Sequence, residues 1–211
     1  MKKLMIISVL SFCTGLLFAN DKYEKAMQAN IDAIYNAQSP EQIQAAINSF
    51  ERIGAAEKSK WEPFYYASFG YVMMSTRELD GTKKDLLLDK ATEGLNKAKA
   101  IRADESEIVA LEGFVYMMRV TVDPATRGQQ YSGMAMQTFG KALSLNPNNP
   151  RAMALLAQME FGTAQFFKAP TTSACEKATK SLEMFESYKS ENALAPAWGK
   201  ESAMRVLKQC N

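Results

Sequence analysis

The chain has 211 residues, with 25 lysines and arginines against 23 aspartates and glutamates and no histidine at all. The missing histidine removes the commonest general base and the commonest neutral metal ligand. So even a charge balance gives no electrostatic basis for binding nucleic acid or an anionic membrane surface.

The first element is not part of the fold. Lys2 and Lys3 precede a weakly polar-to-apolar run from Leu4 to Phe18, closed by the small residue of Leu17-Phe18-Ala19. A positive start, an apolar stretch too short for a bilayer and a small closing residue make a secretory signal over residues 1–19, the alternative being an N-terminal anchor. A lipoprotein reading of Cys13 fails on bulky Phe12 before it and on apolar Gly15-Leu16-Leu17-Phe18 after it. Removing the signal takes two lysines and no acid, leaving 23 basic residues against 23 acidic ones. The expected location is the periplasm, with secretion beyond it open, and the remaining 20–211 suit one well-cored domain without stable membrane insertion.

Helical periodicity then predicts elements in pairs: Tyr23–Ala37 with Pro40–Lys58, Glu62–Thr76 with Asp85–Ala103, Glu105–Val120 with Gln130–Leu145, and Arg151–Phe167 with Ala174–Lys189. The pairs span about 23–58, 62–103, 105–145 and 151–189, and a last helix, Ala197–Gln209, caps them. No segment alternates at period two over a useful length, so no sheet is expected.

The pairs repeat. Ala135, Phe139, Ala142 and Pro147 are spaced four, three and five, as are Ala91, Leu95, Ala98 and Ala103, then Ala46, Phe50, Ile53 and Lys58. Ala178, Leu182, Phe185 and Ser190 make a fourth, weaker copy, and the first members stand 45, 44 and 43 residues apart. Residues four and three apart share a helix face, so small-large-small makes a seam for a neighbouring helix. In "LNPNNP" the seam helix is ended by Pro147, turned by Asn148-Asn149 and restarted at Pro150.

These residues resemble the tetratricopeptide repeat, whose second helix carries alanine, a bulky apolar residue and alanine before a proline turn. Gly113 and Tyr116 in "ALEGFVYMM" fall where that family has its glycine and tyrosine, with Phe64 and Tyr71 as counterparts one repeat earlier. More narrowly, "SFERIGAAEKSKWEPFYYAS", "DPATRGQQY", "LNPNNPRA" and "LAPAWGKESA" look like an uncharacterised group of exported tetratricopeptide-like proteins from Bacteroidota. The resemblance implies an all-α, right-handed α-solenoid of about four helix-turn-helix pairs with a C-terminal capping helix, and export; it brings no activity. One departure is "TTSAC", ending at Cys175, where the resemblance leads one to expect a glycine-rich turn.

A period near 44 exceeds the usual 34 by about ten residues. The surplus falls between the two helices of each pair, around "TRELDGTKKD", "VDPATRGQQY" and "TAQFFKAPTT". Two readings stay open. Either these corners form a recognition ridge carrying Asp123, Arg127, Gln129, Gln130 and Tyr131, with Phe166, Phe167 and Lys168 beside it, or each helix gains a turn. The concave candidates are Tyr65, Phe69, Phe114, Met117, Arg151 and Gln158. Methionine pairs Met73-Met74 and Met117-Met118 either soften a groove or fill the core.

Cys175 opens one helix and Cys210 ends the next, and antiparallel helices of similar length bring those ends together, so a disulfide is expected, with two free thiols as the alternative. No phosphate loop, nucleophile elbow, calcium loop or cysteine metal motif occurs, so no catalytic residue, metal or cofactor is assigned. The expected function is a non-enzymatic scaffold that binds a protein or peptide. The competing reading is a small-molecule or glycan carrier, or a carboxylate-dependent hydrolase.

Overall fold

The computed structural model describes residues 21–190 and 192–210, and the signal expected over 1–19 lies outside them. Every regular element among the described residues is a helix: α1 (21–35), α2 (Pro40–Ala56), α3 (Glu62–Arg77), α4 (Gly81–Ile101), α5 (Ser106–Val120), α6 (Pro124–Leu145), α7 (Pro150–Phe167), α8 (Thr172–Ser187) and α9 (Lys200–Leu207).

Local chemistry sets the ends. Ser39 and Gln42 form a reciprocal cap at α2, and the side chains of Asp80, Asp123 and Asn149 each accept a backbone N–H at the starts of α4, α6 and α7. At the "LNPNNP" corner the Asn146 N–H donates to the Ala142 carbonyl as α6 stops. Asn149 then caps α7 with Pro150 in its first turn. Chain reversal there takes four residues, with the Asn148 N–H donating to the Asn146 side chain and the Asn149 N–H to the Asn146 carbonyl.

Packing follows the repeat. Ala46, Ala91, Ala135 and Ala178 are all buried, with Phe50, Leu95 and Phe139 beside the first three. In α8 Leu182 and Phe185 are half-buried, because the last pair has only α9 beyond it. Helices α3 and α4, α5 and α6, and α7 and α8 pack within their pairs, and α3 touches α5 and α5 touches α7, whereas the backbones of α4, α6 and α8 stay apart, with α4 and α6 linked by the Arg127–Asp85 ion pair. Only a curved stack does this: α3, α5 and α7 line the inner side, and the even-numbered helices splay along the outer side. The C-terminal α9 packs on α7 and α8, and the Cys175–Cys210 disulfide ties its end to the start of α8.

Three boundaries differ from expectation. First, α4 begins at Gly81 rather than Asp85 and α6 at Pro124 rather than Gln130, so the surplus residues of the second and third repeats lie largely in helix, as in the reading in which each helix gains a turn. Second, "TTSAC" already belongs to the first turn of α8; Lys168, at φ 54°, takes the left-handed conformation that a glycine would have taken, and closes α7. Third, the final helix starts at Lys200 rather than Ala197. Residues 192–199 instead run without helix back across the inner face.

Candidate functional site

The inner face is built from alternate helices whose exposed stripe would be aromatic. Tyr65 and Phe69 stand one turn apart on α3, Phe114 and Met117 on α5, and Arg151 and Gln158 two turns apart on α7. Tyr65, Phe69 and Phe114 meet around Trp198, and Arg151 lies against the neighbouring Gly199, whereas Met117 packs with Ala135, Phe139 and Leu155. Tyr65, Phe69, Met117 and Arg151 are buried, while Phe114 and Gln158 are half-buried.

What covers Tyr65, Phe69 and Phe114 is the segment 192–199. The Tyr66 hydroxyl donates to the Leu194 carbonyl at 2.8 Å, the Ala197 N–H donates to the Tyr35 hydroxyl at 3.1 Å, and the Trp198 indole N–H donates to the Tyr65 hydroxyl at 3.0 Å. The Trp198 ring lies between Phe69 and Phe114, with centroids 5.1 and 5.8 Å away and planes inclined by only 23° and 27°. Gly199 ends the segment at φ 108°, where a Cβ would also come within 2.9 Å of Arg151 Cγ.

Under this segment lies a buried ion pair. Arg151 donates from Nε and Nη2 to the two carboxylate oxygens of Glu107 at 2.7 and 2.6 Å, and its guanidinium lies 4.7 Å from the centre of the Tyr188 ring. Burial opposes the Arg151 charge, but the hydrogen bonds and charge of Glu107 outweigh it and hold the guanidinium above its ordinary value. Burial pushes the Tyr65 and Tyr66 hydroxyls well up, so both stay protonated donors and acceptors. Arg151 is therefore a strut in the wall, not an exposed contact. The side-chain oxygen of Gln158 is buried and accepts no hydrogen bond among the described residues.

The corner residues have structural employment. Asp123 caps α6 through Thr126, Arg127 donates to Asp85 at 2.6 Å, and Tyr131 stacks on Tyr116 at 6.3 Å. Gln130 is exposed on α6. Phe166 and Phe167 project from the end of α7, 77% and 70% exposed.

Sequence reasoning missed two features. One is the cover itself, signalled only by Pro196 and Gly199 bracketing Trp198 in "APAWG". The other is an outer cleft of about 550 Å³ between α2 and α4, floored by α3 and rimmed by Lys58, Lys90 and Lys97 with Glu51 and Glu93. Inside it the Tyr71 hydroxyl donates to Glu51 at 2.9 Å. No group of three or more metal-ligating side chains occurs among the described residues, and none of their helices is long and apolar enough to cross a membrane.

No protein-family model and no curated protein sequence matches the chain. Among solved structures it is similar to the HusA haemophore from Porphyromonas gingivalis, at 29% identity over 89% of this chain and 92% of that one, with a TM-score of 0.79. It is also similar to a thermophilic tetratricopeptide-repeat protein of Thermus thermophilus, at 17% identity over 92% and 93% of the two chains, with a TM-score of 0.58. The fold is thus a tetratricopeptide-like all-α solenoid with a C-terminal helix.

Proposed function

We propose that this chain is an exported, non-catalytic binding protein whose concave face takes a planar hydrophobic ligand of the porphyrin class. The observation that carries the reading is the slot between Phe69 and Phe114, which accepts a flat aromatic ring with near-parallel faces on both sides. Such stacking adds to the burial of apolar area without demanding a metal bond. The likeness to a haemophore over nine-tenths of both chains supports the ligand class. The Cys175–Cys210 bond suits an oxidising compartment and supports export.

The composition constrains the mode. With no histidine in the chain, imidazole ligation of haem iron is excluded. The reading puts recognition on the ring faces and the carboxylate edge rather than on a tyrosine or methionine bond to iron, so metal-free porphyrin should bind about as well as haem. The test is an absorbance titration of the signal-free chain with haem and with protoporphyrin IX. The reading expects comparable micromolar or tighter binding of both, weakened roughly tenfold by Phe114→Ala through lost stacking and area. Absence of a spectral change with either porphyrin would overturn it.

A second reading, a peptide partner, is supported by residues 192–199 themselves, a non-helical segment seated along the same face. Its signature would be saturable binding of an apolar peptide by a chain that ignores both porphyrins.

A further inference from the structure

We infer that Trp198 is a built-in occupant of the ligand slot, and that residues 192–199 act as a hinged cover which withdraws it when a planar ligand bearing carboxylates enters. The inference rests on the porphyrin-class reading and specifies how that site opens.

Four observations converge on it. Trp198 fills the space between Phe69 and Phe114 as a stacked ligand ring would, while remaining half-exposed at its edge. The cover has little backbone order of its own: the Ala195 N–H donates to the Asn192 carbonyl, the Leu194 N–H bonds the Asn192 side chain, and no helix or ladder bond runs from 193 to 198. Segments with few backbone hydrogen bonds of their own open more readily than helices, and the side chain that must leave the core for this one to open is Leu194. At the C-terminal end Gly199 sits at φ 108° directly before α9, a joint free of side-chain constraint. Finally, the Cys175–Cys210 bond fixes α9 to α8. The cover can therefore arch outward between two anchored ends but cannot leave.

Withdrawal has a chemical consequence. Leu194, Ala197 and Trp198 are each bound by a tyrosine hydroxyl, from Tyr66, Tyr35 and Tyr65 respectively. Lifting the cover frees all three hydroxyls on one side of the slot. Burial raises the pKa of each, so they stay neutral and able to donate. A ligand that stacks on Phe69 and Phe114 and presents carboxylate oxygens at its edge replaces both the indole and the hydrogen bonds that it gave up.

The test uses protoporphyrin IX as probe on the signal-free chain labelled with 5-fluorotryptophan. The two tryptophans give two fluorine lines, assigned with Trp198→Phe; Trp61, buried against Tyr65, is the internal reference. The expected result is that the Trp198 line moves toward the value of free solvent at saturation. Affinity should also rise roughly fivefold to tenfold in Trp198→Ala, which removes the competitor, and by a smaller factor in Trp198→Phe. Circular dichroism melts check that both variants fold, and the fluorine readout leaves residue 198 unsubstituted. If the wild type binds porphyrin but Trp198→Ala binds it equally or less tightly, the cover is a fixed wall and this inference fails, leaving the porphyrin reading intact. If neither protein binds porphyrin, both fail together. Binding by Trp198→Ala alone would support the inference, as a cover too firmly shut in the wild type.

Discussion

Arg151 and Glu107 lie 44 residues apart, one repeat period, and meet in a two-pronged ion pair that solvent scarcely reaches. The contact joins the start of α5 to the start of α7 beneath the segment that crosses the inner face. Removing one member strands a buried charge, which costs about 3–5 kcal/mol, whereas replacing both by apolar residues of similar volume is close to neutral. Arg151→Met should therefore be strongly destabilising in urea unfolding followed by circular dichroism. Arg151→Met combined with Glu107→Met should recover most of the loss. Equal stability of the single variant and wild type would show that the pair is not a strut.

The disulfide closes a loop across 35 residues of sequence separation. On the chain-entropy account that stabilises the folded state by about 3–4 kcal/mol. Cys175→Ser with Cys210→Ser should lower the urea midpoint accordingly. A non-reducing mass about two daltons below the reduced mass, the loss of two hydrogens, would confirm the bond, and labelling of two free thiols would refute it.

Two glycines separate packing from propensity. A Cβ on Gly113 would press against the ring edge of Phe139, the bulky seam residue of the same pair, closer than van der Waals contact allows, so Gly113→Ala should cost about 1–3 kcal/mol by overpacking. Gly140 lies one residue beyond Phe139 on the exposed side of α6, and a Cβ there meets nothing within 4 Å. Gly140→Ala should stabilise by about 0.5–1 kcal/mol through lower unfolded-state entropy and better helix propensity. Thermal melts that rank the two variants the other way would contradict the seam.

Lys168 holds a conformation that costs an ordinary side chain about 1 kcal/mol. Lys168→Gly should therefore raise stability by a few tenths to about 1 kcal/mol, since glycine's greater unfolded entropy offsets part of the relief. A destabilising effect would mean that the lysine side chain contributes something beyond closing α7.

Tyrosine ionisation gives a pH signature. Burial, then the hydrogen bond and charge of Glu51, push the Tyr71 hydroxyl up to about 12, and burial likewise raises Tyr23 and Tyr66. Unfolded tyrosine loses its proton near pH 10. Stability from these groups is thus complete below about pH 10 and is lost as pH rises from there, through about 12 for Tyr71 and higher still for Tyr23 and Tyr66. Absorbance at the phenolate band should lag behind free tyrosine and then climb together with loss of helical signal. Glu51→Gln should bring part of the titration back toward pH 10; an unchanged curve would contradict the assignment to Glu51.

The repeat was legible because it is a matter of local periodicity. Ala135, Phe139 and Ala142 declare a buried face by spacing alone, and Asn149-Pro150 declares a helix start. Asp123-Pro124 carries the same cap-then-proline signal, which is why the supposed loop there is the first turn of α6. The inner face was less legible. Tyr65 and Phe69, four residues apart, share one face of α3, but their burial depends on a segment more than 120 residues later, as the Trp198–Tyr65 contact at a separation of 133 shows. Periodicity carries no information about such a crossing. Alanine and tryptophan in "APAWGKESA" read as helix, and only Pro196 with Gly199 hinted that the chain stays non-helical until Lys200.

The account places a planar ligand on the inner aromatic face, and a backbone amide shift map of the nitrogen-labelled chain titrated with protoporphyrin IX tests that most directly. It predicts that shifts cluster around Phe69, Phe114 and residues 192–199, while the outer cleft near Lys90 and Lys97 stays unmoved. Shifts confined to that outer cleft, or none at saturating porphyrin, would contradict it.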